Sequence, residues 1–225
     1  MNKKVLTVKT ESSLGGLLLL LGTTVILITI LFEYRIGWIG VDRRESEVPN
    51  FIFETWSQLK LIWGWQLVGF LLLAIAYAIL LKNSDNLFKS LLWAILLLFG
   101  LMIVIAFGIT LGAYYPALQV YESQPVIFDS IRGAVRSLYS IGLLTLPFLG
   151  VVYLLEVFGR NGVIERRWGM VGLSIVVAGI LLNFIPSLPG QLIGAVVFFI
   201  PAFLGYAYWR NNHTHNRKSQ NQTDG

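Results

Sequence analysis

Between Leu14 and Phe32 the chain carries no Asp, Glu, Lys, Arg or His. At 1.5 Å per helical residue that stretch reaches about 28 Å, close to the ~30 Å hydrocarbon core of a bilayer. It includes LLLLLGTTVILITILF, which shows none of the period-two alternation of a barrel strand. Comparable blocks follow at Leu61–Leu81, Leu91–Ala113, Leu138–Phe158, Trp168–Ile185 and Leu192–Tyr208, and among them only the fourth span holds a charge, Glu156. In lipid such a segment must satisfy its own peptide groups, and an α-helix does so without partners. The sequence therefore predicts an all-α fold, a polytopic transmembrane helical bundle of six spans over residues 1–210. A polar tail, residues 211–225, has no apolar period and is expected to be disordered. Composition agrees: 13% of residues are charged, about half the ~25% of an ordinary soluble domain.

Lys3, Lys4 and Lys9 ahead of the first block give it the look of a signal peptide. The block outruns the ~7–15 residues of a signal h-region and continues into Phe32-Glu33-Tyr34-Arg35 without a cleavage site, so an uncleaved span is expected. Orientation follows from Lys and Arg. Eleven lie on the side of the N-terminus, the second-to-third and fourth-to-fifth connections and the tail, against six on the other side. This bias predicts both termini in the cytoplasm of a bacterial inner (cytoplasmic) membrane, a placement with which an even number of spans agrees.

On the outer side lie the long connections, about 33–60 and 114–137. Phe51, Ile52, Trp56, Leu59 and Trp63 follow approximate helical spacing in the first, and Ile127, Phe128, Ile131, Val135 and Leu138 in the second, with Pro125 near a helix start. Two readings fit each: a short helix lying in the interface, or an extension of the span that follows.

Candidate chemistry is sparse. The chain has no cysteine, hence no thiolate and no Cys-ligated metal. His213 and His215 stand in the tail without the further ligands that a tight site needs, so no metal and no cofactor are expected. No His-Glu-x-x-His, Gly-x-Ser-x-Gly or Walker-type motif is present, and no catalytic residue is assigned. The positive formal charge, +5, gathers at span ends where it sets topology, so no nucleic-acid partner is expected. An ionisable group inside a membrane is a functional candidate by default. Glu156 is the nearest approach, and Tyr139, Gly142, Leu146, Tyr153 and Glu156 recur at about 3.5 residues on one face. Tyr139, Tyr153 and Glu156 are thus the candidate cavity lining. The plainer reading of Glu156 is a solvent-screened pair with Arg160, worth about 0.3–0.5 kcal/mol.

Pro147 and Pro201 should kink the fourth and sixth spans. The small-residue pairs Gly108/Gly112, Gly190/Gly194 and Ala74/Ala78 are expected to serve packing inside the bundle rather than between copies. The break Asn183–Gly190 (NFIPSLPG) falls where two spans of ~30 Å would meet at the outer surface, so it reads as a hairpin turn. Together these features suggest a non-enzymatic accessory, binding or sensing component. Besides the lipid bilayer, its partner would be a protein or a lipid at the outer loops. A small-molecule or lipid permease with a cavity near the fourth span is the alternative, and an intramembrane enzyme the second.

Overall fold

The computed structural model describes residues 3–84, 86–159, 162–182 and 196–210. Among these residues every element is helical and no strand occurs. Helix α1 spans Lys3–Arg35, α2 Val48–Glu54, α3 Trp56–Lys82, α4 Leu87–Gln119, α5 Pro125–Gly142, α6 Thr145–Phe158 and α7 Arg166–Leu182. A final helix, α8, covers 199–210. Among the described residues four stretches are long and apolar enough to cross a membrane: Glu11–Arg35, Trp56–Lys82, Leu87–Gln119 and Pro125–Phe158. They contain the first four expected spans. The fifth and sixth lie partly outside the described residues, as do the Asn183–Gly190 break and the tail with His213 and His215.

The helices continue past the apolar blocks because polarity marks where lipid ends, not where helical backbone ends. α1 stops where Gly37 takes a positive φ of 75°, a conformation that costs glycine nothing. α4 begins at an Asn86 side chain that accepts the Phe88 N–H at 2.8 Å, satisfying one orphan donor of the first turn. α5 opens with Pro125 in its first turn, where a missing N–H costs no bond. The two readings of the outer connections divide between them. The first contains a separate seven-residue helix, α2, and the second is an extension of the following span.

α3 packs between α1 and α4, and α4 carries both α5 and α6 along its length. Buried threonines return their hydroxyls to their own helices, as Thr23 does to Leu19 O at 2.7 Å and Thr110 to Ala106 O at 2.9 Å. The fourth span is broken at Leu143–Leu144, and the cause is Pro147, whose ring leaves the Leu143 carbonyl without its i+4 donor. Leu146 N–H takes up Leu143 O instead, at 3.0 Å, and Thr145 Oγ1 donates to Gly142 O at 2.9 Å. Pro147 itself then sits in the first turn of α6.

Of the small-residue pairs, Gly190/Gly194 lies outside the described residues, and Gly108/Gly112 departs from expectation. A methyl added at Gly108 or Gly112 would meet nothing within 4 Å, so this pair faces out of the bundle and does not hold it together. Close approach occurs instead at Gly16 with Gly205, joining α1 to α8, and at Gly22 with Gly69, joining α1 to α3. Among the described residues two buried clusters result. One fills the bundle around Leu19, Tyr77, Trp93, Ile103 and Leu204, and the other lies at the α2 end around Ile52, Leu59, Trp63, Tyr114 and Phe128.

Candidate functional site

The three expected lining residues do not share one cavity. The break at Leu143–Leu144 leaves Tyr139 on α5, towards the α2 end, and Tyr153 and Glu156 on α6, towards the other. Tyr153 donates its hydroxyl to Gly169 O at 2.9 Å and so ties α6 to α7. Glu156 and Tyr139 line separate spaces at opposite ends of the bundle.

At the end of the bundle remote from α2, Glu156 is fully buried. Its Oε1 accepts from Lys89 Nζ at 2.8 Å and from Tyr208 Oη at 2.6 Å, and its Oε2 from Val163 N–H at 3.0 Å. One carboxylate thus joins the start of α4, the end of α6, the connection to α7, and α8. The expected partner Arg160 lies outside the described residues, and the pairing found is with Lys89, 67 positions away. A cavity of about 320 Å³ opens beside this cluster, bordered by Ser12, Asn83, Asn86 and Lys89. With three donors on its two oxygens, Glu156 works there chiefly as a structural tie.

At the α2 end a groove of about 210 Å³ runs between α4 and α5. Ala106, Phe107, Thr110 and Tyr114 of α4 face Arg132, Val135, Arg136 and Tyr139 of α5, with Trp38, Ile52 and Trp63 closing the side. The aromatic rings support one another: Trp63 meets Trp38 and Tyr114 edge-on at 5.6 and 6.1 Å, and Tyr114 meets Phe128 at 5.3 Å. Behind Trp63, the buried Glu33 accepts the indole N–H at 2.8 Å. Gln66 lies within interaction range of the same carboxyl and leaves its own Oε1 without a partner.

Both arginines at the groove mouth point to a single carboxylate. Arg132 Nη1 donates to Glu45 Oε2 at 2.5 Å and Arg136 Nη2 to Glu45 Oε1 at 3.3 Å. Glu45 sits on a one-turn 3-10 segment, Glu45–Glu47, and is well exposed. Hydrogen bonding from Arg132, then from Arg136, holds its carboxyl below the ordinary carboxylate range, so the tether stays charged at neutral pH. Compared with known proteins, the chain matches no family model, no curated protein and no solved structure.

Sequence reasoning reached Glu156, Tyr139 and the apolar groove residues Ile52, Trp63 and Val135, but not the charged partners that complete either site. Glu33 was assigned to the outer connection, although no turn residue separates it from the first span before Gly37. That absence was the available signal. In the sequence Lys89, Arg132 and Arg136 count only as orientation determinants, and nothing local marks them otherwise.

Proposed function

We propose that the protein is a six-span integral protein of the bacterial cytoplasmic membrane, with both termini inside. In this reading it acts as a non-enzymatic binding component through the groove at its outer end. The Lys and Arg bias supports the orientation, and the four apolar stretches support residence in a membrane. The observation that carries the binding reading is the groove itself, a concave aromatic-lined space with two guanidiniums at its mouth. Clefts with mostly apolar walls and a few converging polar groups are the usual form of a ligand site.

The permease reading has less support. Glu156 is held by three donors, and between the inner cavity and the outer groove the space around Tyr77, Ile103 and Phe198 is only about 10 Å³.

The cysteine-free sequence suits topology mapping with single cysteines. In intact cells, Glu122→Cys should react with a membrane-impermeant maleimide, and Lys82→Cys only after permeabilisation. The reverse pattern would invert the orientation. The binding reading is tested by native mass spectrometry of protein extracted in mild detergent. A non-covalent adduct is expected on the parent and should be absent from Val135→Trp, which fills the groove. Identical spectra for the two, with the variant still folded, would remove the groove as a binding site.

A further inference from the structure

We propose that Arg132 and Arg136 form the headgroup site of an anionic phospholipid, and that Glu45 occupies this site as an internal competitor when lipid is absent. The inference rests on the groove being the binding site and names what it binds.

Three observations lead to it. The first is the geometry of the arginines. They lie one helical turn apart on α5, and both reach the same carboxylate, contributed by a loop 87 and 91 positions away. Two guanidiniums converging on one pair of oxygens is the arrangement that suits a phosphate, which accepts forked N–H donors at the same distances. Glu45 Oε1 and Oε2 mark where phosphate oxygens would sit.

The second is the ease of exchange. The Glu45 side chain is 70% exposed and that of Arg136 65%, whereas Arg132 is 20% exposed and anchored against the groove. A pair this accessible is screened by water and gives way to a competing anion at little cost. Glu45 stands on a short segment whose preceding residue, Arg44, is extended and makes no side-chain cap, so the carboxylate can withdraw without unravelling a long helix.

The third is the polarity gradient along the groove. From Arg132 to Tyr139 α5 descends about 10 Å towards the bundle interior, and from Tyr114 to Ala106 α4 descends about 12 Å. Among the lining side chains the charges are Arg132 and, about 6 Å further down α5, Arg136. Deeper, Thr110 spends its hydroxyl on Ala106 O, Trp63 gives its indole N–H to Glu33 behind the wall, Ala106 and Phe107 are apolar, and Tyr139 ends the α5 face. A small soluble anion would use the mouth and leave this slot empty. An amphiphile uses both, phosphate at the arginines and glycerol with the first methylenes below. A quaternary ammonium group would meet two guanidiniums at the entrance, which disfavours a zwitterionic headgroup of the choline type.

The test uses the full chain, delipidated in non-ionic detergent and followed by thermal unfolding. Dioleoyl phosphatidylglycerol added in mixed micelles should raise Tm in a saturable way, and dioleoyl phosphatidylcholine should not. Glu45→Gln should lower the half-saturating phosphatidylglycerol concentration about threefold to fivefold, the scale of one exposed ion pair. The Arg132→Gln/Arg136→Gln variant should keep the lipid-free Tm and lose the lipid response. Equal shifts from both lipids, or a phosphatidylglycerol shift that survives in the double variant, would overturn the proposal. An equal shift from inorganic phosphate at matched concentration would replace the lipid by a free anion. A mass-spectrometric adduct that depends on the groove but is not a phospholipid would overturn the lipid assignment and leave the binding reading in place.

Discussion

Glu156→Ala is expected to lower the unfolding free energy by about 3 kcal/mol or more, since breaking a buried ion pair by removing one partner commonly costs about 3–5 kcal/mol. The lower end is the better guide, because Lys89 is 21% exposed and can turn towards water in the adjoining cavity. The rest comes from the Val163 N–H and the Tyr208 hydroxyl, which both lose their acceptor. This is several times the 0.3–0.5 kcal/mol that a screened pair with Arg160 would give. Thermal melts of the purified protein in detergent provide the measurement. Lys89→Ala and the double variant complete a cycle, which should show a coupling above about 1 kcal/mol between the two sites. A single Glu156→Ala variant that melts like the parent would mean that the carboxylate is not buried in a pair at all.

Gly16→Leu and Gly205→Leu should be similarly damaging, for a steric reason. A methyl group at Gly16 would lie 2.7 Å from Gly205 O and from Trp209 N, and one at Gly205 would lie 2.7 Å from Gly16 O. Those neighbours are backbone atoms, which cannot turn aside as a side chain can. Over-packing commonly costs about 1–3 kcal/mol, and a clash with backbone belongs at the top of that range. Because Tyr208 is on α8 as well, separating α1 from α8 also weakens the Glu156 tie. Gly108→Ala and Gly112→Ala serve as the contrast. Neither position has a neighbour within 4 Å, so each change should leave the melt unchanged or raise it slightly. Loss of a higher oligomer in those two variants would assign the pair to contacts between copies. Leucine variants at Gly16 and Gly205 that melt normally would show that α1 and α8 do not meet there.

The first four spans were legible because apolar length alone is a strong constraint in lipid, and no other segment type fills it. Their ends were not legible. Arg35, Trp56, Gln119 and Pro125 bound helices that run on into polar sequence, where hydropathy stops reporting and only caps and glycine conformations decide. The site was legible in the same uneven way. Glu156 stood out as a carboxylate in an apolar block, but its partners lie 67 and 52 positions away in sequence and meet it only through the packing of α4 and α8 against α6. Glu45 with Arg132 and Arg136 is the same case: three ordinary surface charges until the chain folds. Gly205 lacks a small partner four residues away in its own helix, and Gly16 has only Ser12, which precedes the first apolar block. Their match is across the interface, which no single-segment pattern can display.

Pro147 gives the bundle a jointed member beside an unbroken one. α4 is a single strut of 33 residues, about 50 Å long, whereas α5 and α6 share that length as two segments meeting at Leu143–Leu144. The peptide groups at the joint are already served within one turn, by Leu146 N–H and Thr145 Oγ1, so flexing there exposes no unpaired carbonyl to lipid. The pivot is set by Gly142, where even a methyl group would lie 2.3 Å from Ile103 Cγ1 of the strut. The arginine-bearing segment and the one tied at Glu156 are therefore two separate helices, whose relative tilt no continuous hydrogen-bond ladder fixes.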